Sequence, residues 1–524
     1  MQHRIGQRPL AGAVCVAVCI AVGALLAACS VSVSFGSSHT TTTTTSTSLP
    51  GTSTDRGGSS AAGLVWHACG SFRCSNLRVP ISYTDPGEGT LAIAVIELAA
   101  TNDPATAADL VLNPGGPGES GVQFLQAAFS QFPSALRARF NLVSFDPRGI
   151  GGSDPVVCTT PAGLRRWLAL DPAPATPAAI ASLTTAVRQF DAACAAHVPR
   201  DVLASLSTAV TARDMDRLRA ALGQRRLDYL GFSYGTYLGA SYAQAFPSNV
   251  GHMVLDGAVD PALSSSVLDL EQADAFELDL HDFFAWCPTN ATCKSELPAG
   301  AKSTYDTLIR HLESGATLTA GLDAALGGTQ AINYAVVLTG VISSLYTTTY
   351  WPYLAQGLGQ ATSGNGTVLA ELAYSYAGFN ANGTASNLLS AELAVSCLDR
   401  PSPPVTSLPA LARHFATTAP DFGPAEAWGT IGCNYWPVPA TGKVGPIHLS
   451  ESLPILVVGS THDPATPYAW AQALTSQLNG SELLTRTGDG HTGYFSSTCV
   501  QTWVDGYLST GSRPPAGTVC SSNS

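Results

Sequence analysis

Short apolar runs at 91–98, 109–112, 142–145, 227–230, 252–255 and 453–458 punctuate the chain, and the stretches between them have helical periodicity. Buried runs of four to eight residues separated by helices predict a mostly parallel sheet covered on both faces, because a strand hidden on both sides has no polar face to alternate with. Between 261 and 396 the pattern changes. There Tyr305, Leu308, Ile309 and Leu312 recur at helical spacing and no series of buried strands stands out, so a helical cap is expected. The expected α/β organisation is a core in two parts, 63–260 and 397–524, interrupted by a cap insertion at 261–396 that is placed to cover a site on the sheet.

The first 62 residues follow another rule. Arg4 and Arg8 precede an apolar stretch that ends in Leu26-Ala27-Ala28-Cys29, the layout of an export signal. A small-residue pair followed at once by cysteine resembles the lipobox of bacterial lipoproteins. That likeness implies removal of 1–28 and diacylation of Cys29; an ordinary signal peptide with an incidental cysteine is the alternative. Residues 29–62 are rich in Ser, Thr and Gly, with too little apolar surface to fold, and read as a tether. No later segment reaches the ~18 uninterrupted apolar residues of a membrane span. The expectation is a protein lipid-anchored at Cys29 on the extracytoplasmic face of the cell membrane, or released to the exterior.

Composition narrows the class. A net charge of −12 without any Lys/Arg-rich run lacks the electrostatic footprint of a nucleic-acid binder. Setting Cys15, Cys19 and Cys29 aside leaves Cys69, Cys74, Cys158, Cys194, Cys287, Cys293, Cys397, Cys433, Cys499 and Cys520, an even set that suits an oxidising compartment. The short gaps from Cys69 to Cys74 and from Cys287 to Cys293 suggest that sequential neighbours pair, although spacing alone leaves the connectivity open. With no Cys-x-x-Cys pair and no His-rich run, zinc held by these cysteines is not expected, nor is any other metal or cofactor.

Candidate chemistry centres on Gly231-Phe232-Ser233-Tyr234-Gly235, which follows the apolar run 227–230 and precedes a small-residue helix closed by Phe246-Pro247. Strand, Gly-x-Ser-x-Gly and helix in that order form a nucleophile elbow, which projects the serine hydroxyl above the sheet. A serine hydroxyl needs a base and the base an orienting acid, both downstream in the order Ser, Asp, His. Asp463 stands in the loop after the run 453–458, at a strand's carboxyl end where α/β sheets build sites. His491 stands one strand later in the glycine-rich loop Gly488-Asp489-Gly490-His491. His462, beside Asp463, is the alternative base, and Asp489 the alternative acid. For the oxyanion, Tyr234 offers the N–H after the nucleophile and Gly116, in Asn113-Pro114-Gly115-Gly116-Pro117-Gly118, offers a second.

These motifs, together with Asp146-Pro147-Arg148-Gly149 and the tail from Gly459 through Asp463 and Thr466-Pro467 to Gly490-His491, resemble the α/β-hydrolase serine peptidases. The closer likeness is to the secreted tripeptidyl aminopeptidases of actinobacteria, and the more distant one to prolyl iminopeptidases. The resemblance spans about Trp66 to Cys520. It implies an α/β-hydrolase fold with a helical cap, a Ser233/Asp463/His491 triad, no cofactor, and release of residues or short peptides from free peptide or protein N-termini. Asn113-Pro114 stands where prolyl iminopeptidases usually have a histidine, and Glu119 where the aminopeptidases tend to keep glycine. An exopeptidase must hold a substrate ammonium, for which Glu119, Glu271 and Glu277 are the candidates. The rival readings are a carboxylesterase or lipase on the same triad, and a catalytically silent lipoprotein that binds peptides or wall components.

Overall fold

A computed structural model describes residues 63–521; the signal, Cys29 and the tether lie outside the described residues. Among those described, twelve strands form: β1 (His67–Cys69), β2 (Phe72–Pro80), β3 (Thr90–Leu98), β4 (Ala108–Asn113), β5 (Phe140–Phe145), β6 (Leu227–Phe232), β7 (Val250–Asp256), β8 (Leu318–Gly321), β9 (Thr329–Ile332), β10 (Leu456–His462), β11 (Glu482–Asp489) and β12 (Val519–Cys520). Ten of them make one sheet in the order β1-β2-β3-β5-β4-β6-β7-β10-β11-β12, and β8 pairs with β9 alone. From β5 to β12 every neighbour is parallel, while β1 to β3 and the β3–β5 pair are antiparallel.

Strand alternation explains the two covered faces. Val111, Val143, Tyr229, Leu255 and Val457 point to one side and pack with Leu238 and Ala240 of the helix Tyr234–Ala245. Leu110, Leu112, Leu142, Leu230, Val254 and Leu456 point to the other and meet Phe124 and Tyr507. Successive side chains face opposite ways, so a strand apolar at every position requires a layer on each side.

Strand order reverses between β4 and β6. From β4 the chain crosses to β5 on one side and then returns to β6 on the other, which opens a crevice above the carboxyl ends of β4 and β6. The glycine-rich loop after β4 and the serine after β6 both lie there.

Helices fill the excursion from β7 to β10, beginning with Ser265–Trp286, and they do not stop at 396. Leu388–Asp399, Leu408–Phe415 and Gly423–Gly429 follow before the chain rejoins the sheet at Leu456. Ala419 and Phe422 bury into the same apolar cluster as Phe276, Leu280 and Phe283, so part of the chain beyond 396 shares the cap's core, whereas Cys397, Leu398, Trp436 and Val438 bury into the sheet's. The hairpin β8–β9 also belongs to this cluster through Leu318 and Ile332, and Leu164 joins it from the β5–β6 crossover. Five disulfides join sequential neighbours: Cys69–Cys74, Cys158–Cys194, Cys287–Cys293, Cys397–Cys433 and Cys499–Cys520.

Candidate active site

Ser233 is where β6 turns into the helix Tyr234–Ala245, at φ 54° and ψ −125°. A non-glycine residue at positive φ is strained and persists only where its surroundings over-determine it. Here the Ser233 N–H donates to the Asp256 carbonyl at 2.9 Å, and its own carbonyl accepts from the Thr236 N–H at 2.8 Å. Crowding explains the flanking glycine, since a Cβ on Gly235 would come within 2.8 Å of Asn113 Oδ1 and 2.9 Å of its carbonyl oxygen.

The loop after β4 lies against this elbow. Gly115, at φ +107°, approaches so closely that an added Cβ would sit 2.5 Å from the Phe232 carbonyl and 3.0 Å from Ser233 Cβ. Its N–H is committed to Asn113 Oδ1 at 3.1 Å, whereas the Gly116 N–H makes no hydrogen bond among the described residues. Gly116 and Tyr234 line the same cavity as Ser233.

His491 and Asp463 meet. The imidazole Nδ1 is 2.8 Å from Asp463 Oδ1 and 3.0 Å from Oδ2. The carboxylate is further held by the N–H groups of Ala465, Thr466 and Thr492. Nε2, the nitrogen that Asp463 does not engage, is buried and has no partner among the described residues. Burial alone would lower the His491 pKa. The charge of Asp463 and its hydrogen bond outweigh that, with smaller help from Asp256 and Glu119, and the net direction is upward. Tyr346, from the cap, takes the His491 N–H on its carbonyl and sets its ring edge-on to the imidazole at 5.5 Å.

The alternatives separate cleanly. His462 Nδ1 lies 2.8 Å from Asp282 Oδ2 and 2.9 Å from Asp489 Oδ1, so this imidazole is engaged by the cap helix and by Asp489, and Asp489, although it lines the cavity, pairs with His462 rather than His491. Adjacent residues at a strand end point in different directions, which is why His462 and Asp463 serve different clusters.

Ser233, His491, Gly116 and Tyr234 open onto one cavity of about 1310 Å³ between core and cap. Of the three glutamates expected to hold an ammonium, Glu119 lines it. Glu271 and Glu277 do not. Glu271 accepts from Trp470 Nε1 at 2.5 Å, and Glu277 accepts the Asp421 N–H at 3.1 Å within the cap. Besides Asp146 and Asp489, the cavity is lined by three acids that sequence reasoning missed: Asp269, Glu392 and Glu426. No local signal marks them, because an acid on an Ala/Leu-rich helix looks the same whether it faces water or a cavity.

Glu119, Asp269, Glu392 and Glu426 hold their protons more tightly than usual. Burial pushes Glu392 up to about 7 with nothing opposing it. Burial, then the Glu392 charge, takes Glu426 to about 7. Burial pushes Glu119 up to about 8, with His491 opposing and Glu392 adding. Asp269 is raised by burial and Glu426 while Arg400 opposes. Glu392 opens onto the solvent-reachable cavity and the others are half-buried, yet no cation offsets Glu392 or Glu426. The wall is therefore a set of proton-retaining acids that a positive group entering the cavity would help to ionise.

Residues 110–296 match the family model described as alpha/beta hydrolase fold, and residues 419–520 match the one described as TAP-like protein. The chain is 35% identical over 460 residues to a Mycobacterium tuberculosis protein named Serine protease Hip1, across 86% of this chain and 88% of that protein. It is 33% identical over 478 residues to Carboxylesterase B of the same species, across 87% and 89%. It is 30% identical over 488 residues to the Tripeptidyl aminopeptidase of Streptomyces coelicolor, across 88% and 86%.

Proposed function

This chain belongs to the α/β-hydrolase family, in the group with a TAP-like C-terminal region, and from that membership we propose that it is an extracytoplasmic serine exopeptidase acting on free peptide N-termini. The observation that carries the exopeptidase reading is the acidic wall of Glu119, Asp269, Glu392 and Glu426 in the cavity that Ser233 and His491 line. A peptide's terminal ammonium is the cation that such a wall would fix by charge-assisted hydrogen bonds. Neutral acyl esters gain nothing from it.

In the proposed mechanism His491 Nε2 takes the proton of Ser233 as the hydroxyl oxygen attacks the scissile carbonyl. Asp463 holds the Nδ1–H tautomer and stabilises the imidazolium. The N–H groups of Gly116 and Tyr234 receive the developing oxyanion. His491 then protonates the leaving amine, and water hydrolyses the acyl-enzyme by the same route in reverse. The five disulfides support the oxidising compartment, and Cys29 is the proposed lipid anchor.

Short peptidyl substrates with free and acetylated amines, compared with simple acyl esters, test the reading. Acetylation should lower turnover at least about tenfold, since a charge-assisted contact is worth roughly 1.5–3 kcal/mol. Glu392→Gln and Glu426→Gln should each erode the preference for the free amine. The second reading is a carboxylesterase, favoured by the relative of that name. Equal rates on free and blocked peptides, with ester cleavage faster than either, would establish it instead.

A further inference from the structure

Away from Ser233, three side chains from three elements converge under the cap. Asp282 comes from the helix Ser265–Trp286, His462 from the end of β10 and Asp489 from the end of β11. One potential ligand atom from each lies within 4.8 Å of the others, and all three residues are partly open to solvent. We propose that Asp282, His462 and Asp489 bind a divalent transition-metal ion, zinc by class, which pins the first cap helix to the two loops that carry Asp463 and His491.

The neighbourhood adds an independent observation. Asp279 lies one helical turn before Asp282 and so shares its face. It is 1% exposed, and neither carboxylate oxygen has a hydrogen-bond partner. A buried carboxylate without partners is costly and calls for a cation or a donor. The charges acting on Asp279 are first those of Asp489 and Asp282, both repulsive, which sets it towards the same cluster. Arg486 opposes them without hydrogen-bonding Asp279: its terminal nitrogens donate to Ser460 Oγ and to the carbonyls of Gly490 and Asp489, and its buried Nε has no partner among the described residues. Three aspartates thus gather around one imidazole, and among the described residues no hydrogen-bond donor reaches the Asp279 carboxylate.

The donor set selects the ion. One imidazole nitrogen and two carboxylate oxygens, with water in a fourth position, is a normal zinc environment. Calcium and magnesium prefer six or more oxygen ligands and gain little from an imidazole. Zinc-bound water would carry the protons that Asp279 lacks, an outer partner of the kind that fixes metal sites. His462 Nδ1 is 2.8 and 2.9 Å from the two carboxylate oxygens, so the nitrogen need separate from each oxygen by only about half an ångström for both pairs to match the ligand spacing of a tetrahedral zinc ion. The ion's role would be structural, and it is independent of the peptidase reading.

The test is calorimetric titration of the chelator-treated full chain with zinc ions alone, near neutral pH. One equivalent should bind, and calcium or magnesium in excess should not displace it. Asp282→Asn and His462→Gln should each weaken zinc binding at least about tenfold. At a hundredfold excess over Kd, zinc should raise the melting temperature by about 2 °C or more, and not in those variants. Melting curves of both variants without zinc report whether each is folded, and Asp279→Asn, which leaves the three ligands intact, should weaken binding as well. No saturable binding would overturn the proposal and leave the His462 Nδ1–H shared between two carboxylates. Binding retained in both variants, or lost only in His491→Ala, would place the metal elsewhere and overturn it equally.

Discussion

Two histidine–aspartate pairs stand within a few residues of each other, and which one serves the serine is a question for single substitutions. Asp463→Asn leaves the Nδ1 of His491 facing an amide, favours the wrong tautomer, and should lower kcat by a factor on the order of 10⁴. Asp489→Asn touches His462 instead and should change kcat by no more than a few-fold; steady-state kinetics on both variants decide between them. Ser233→Ala should abolish turnover and leave the melting temperature nearly unchanged. The pH profile supplies a second check. His491 must be neutral to act as base, and its pKa is displaced upward, so the acid limb of kcat/KM should lie above the ordinary imidazole value of about 6.5. Glu119, which burial keeps protonated up to about 8, carries little charge at that limb, so Glu119→Gln should leave it nearly in place.

Short structural elements hold those residues in place, and their backbone contacts are as exacting as the side chains. Asp256, fully buried at the end of β7, accepts the Gly493 N–H at 2.8 Å and the Tyr494 N–H at 2.8 Å, and so secures the loop that presents His491. Asp256→Ala leaves two buried N–H groups without an acceptor. It should cost at least about 2 kcal/mol in denaturant unfolding and lower kcat by displacing the imidazole. The residue after the nucleophile is tied to the cap by a comparable chain: Tyr234 Oη and Thr208 Oγ1 are 2.5 Å apart, and Thr208 donates to Asp399 at the end of the helix Leu388–Asp399. Glu392 is on that same helix, so the elbow and part of the acidic wall are held by one rigid piece.

Across the whole molecule, the cavity sets function against stability. Glu426 titrates near 4.5 in an unfolded chain and at about 7 in the fold, so the folded state keeps its proton longer. Its contribution to stability is therefore full below about 4.5 and is lost as pH rises through 7. Glu426→Gln should flatten this decline, visible as a higher denaturation midpoint at pH 7 to 8 with little change at pH 4, while discrimination for the free amine weakens. Glu392 acts in the same direction with less weight, because its carboxylate opens to solvent. The five disulfides support both halves of the chain, two of them within the long excursion between β7 and β10. Each contributes roughly 2–4 kcal/mol, so reduction should lower the melting temperature markedly, and mass mapping of the unreduced protein should return the five sequential pairs.

The amino-acid order by itself determined the features that backbone chemistry makes local. A serine at positive φ needs small neighbours, a doubly covered strand needs an unbroken apolar run, and a flexible loop needs glycine, so elbow, sheet strands and the loop at Gly116 were all legible. The downstream order of Asp463 and His491 was legible too, because the elbow sets which strand ends come next. Tertiary structure decided what depends on which surfaces meet. The helices from Leu388 to Gly429 carry the same kinds of residue as a solvated helix, and only their packing, the first against the sheet's apolar cluster and the last two against the helix Ser265–Trp286, shows where they belong. The same packing turns Glu392 and Glu426 into the cavity and leaves Glu271 against Trp470 and Glu277 against the Asp421 backbone. The charge of a carboxylate is written in the sequence, but its desolvation and its partners come from residues more than a hundred positions away.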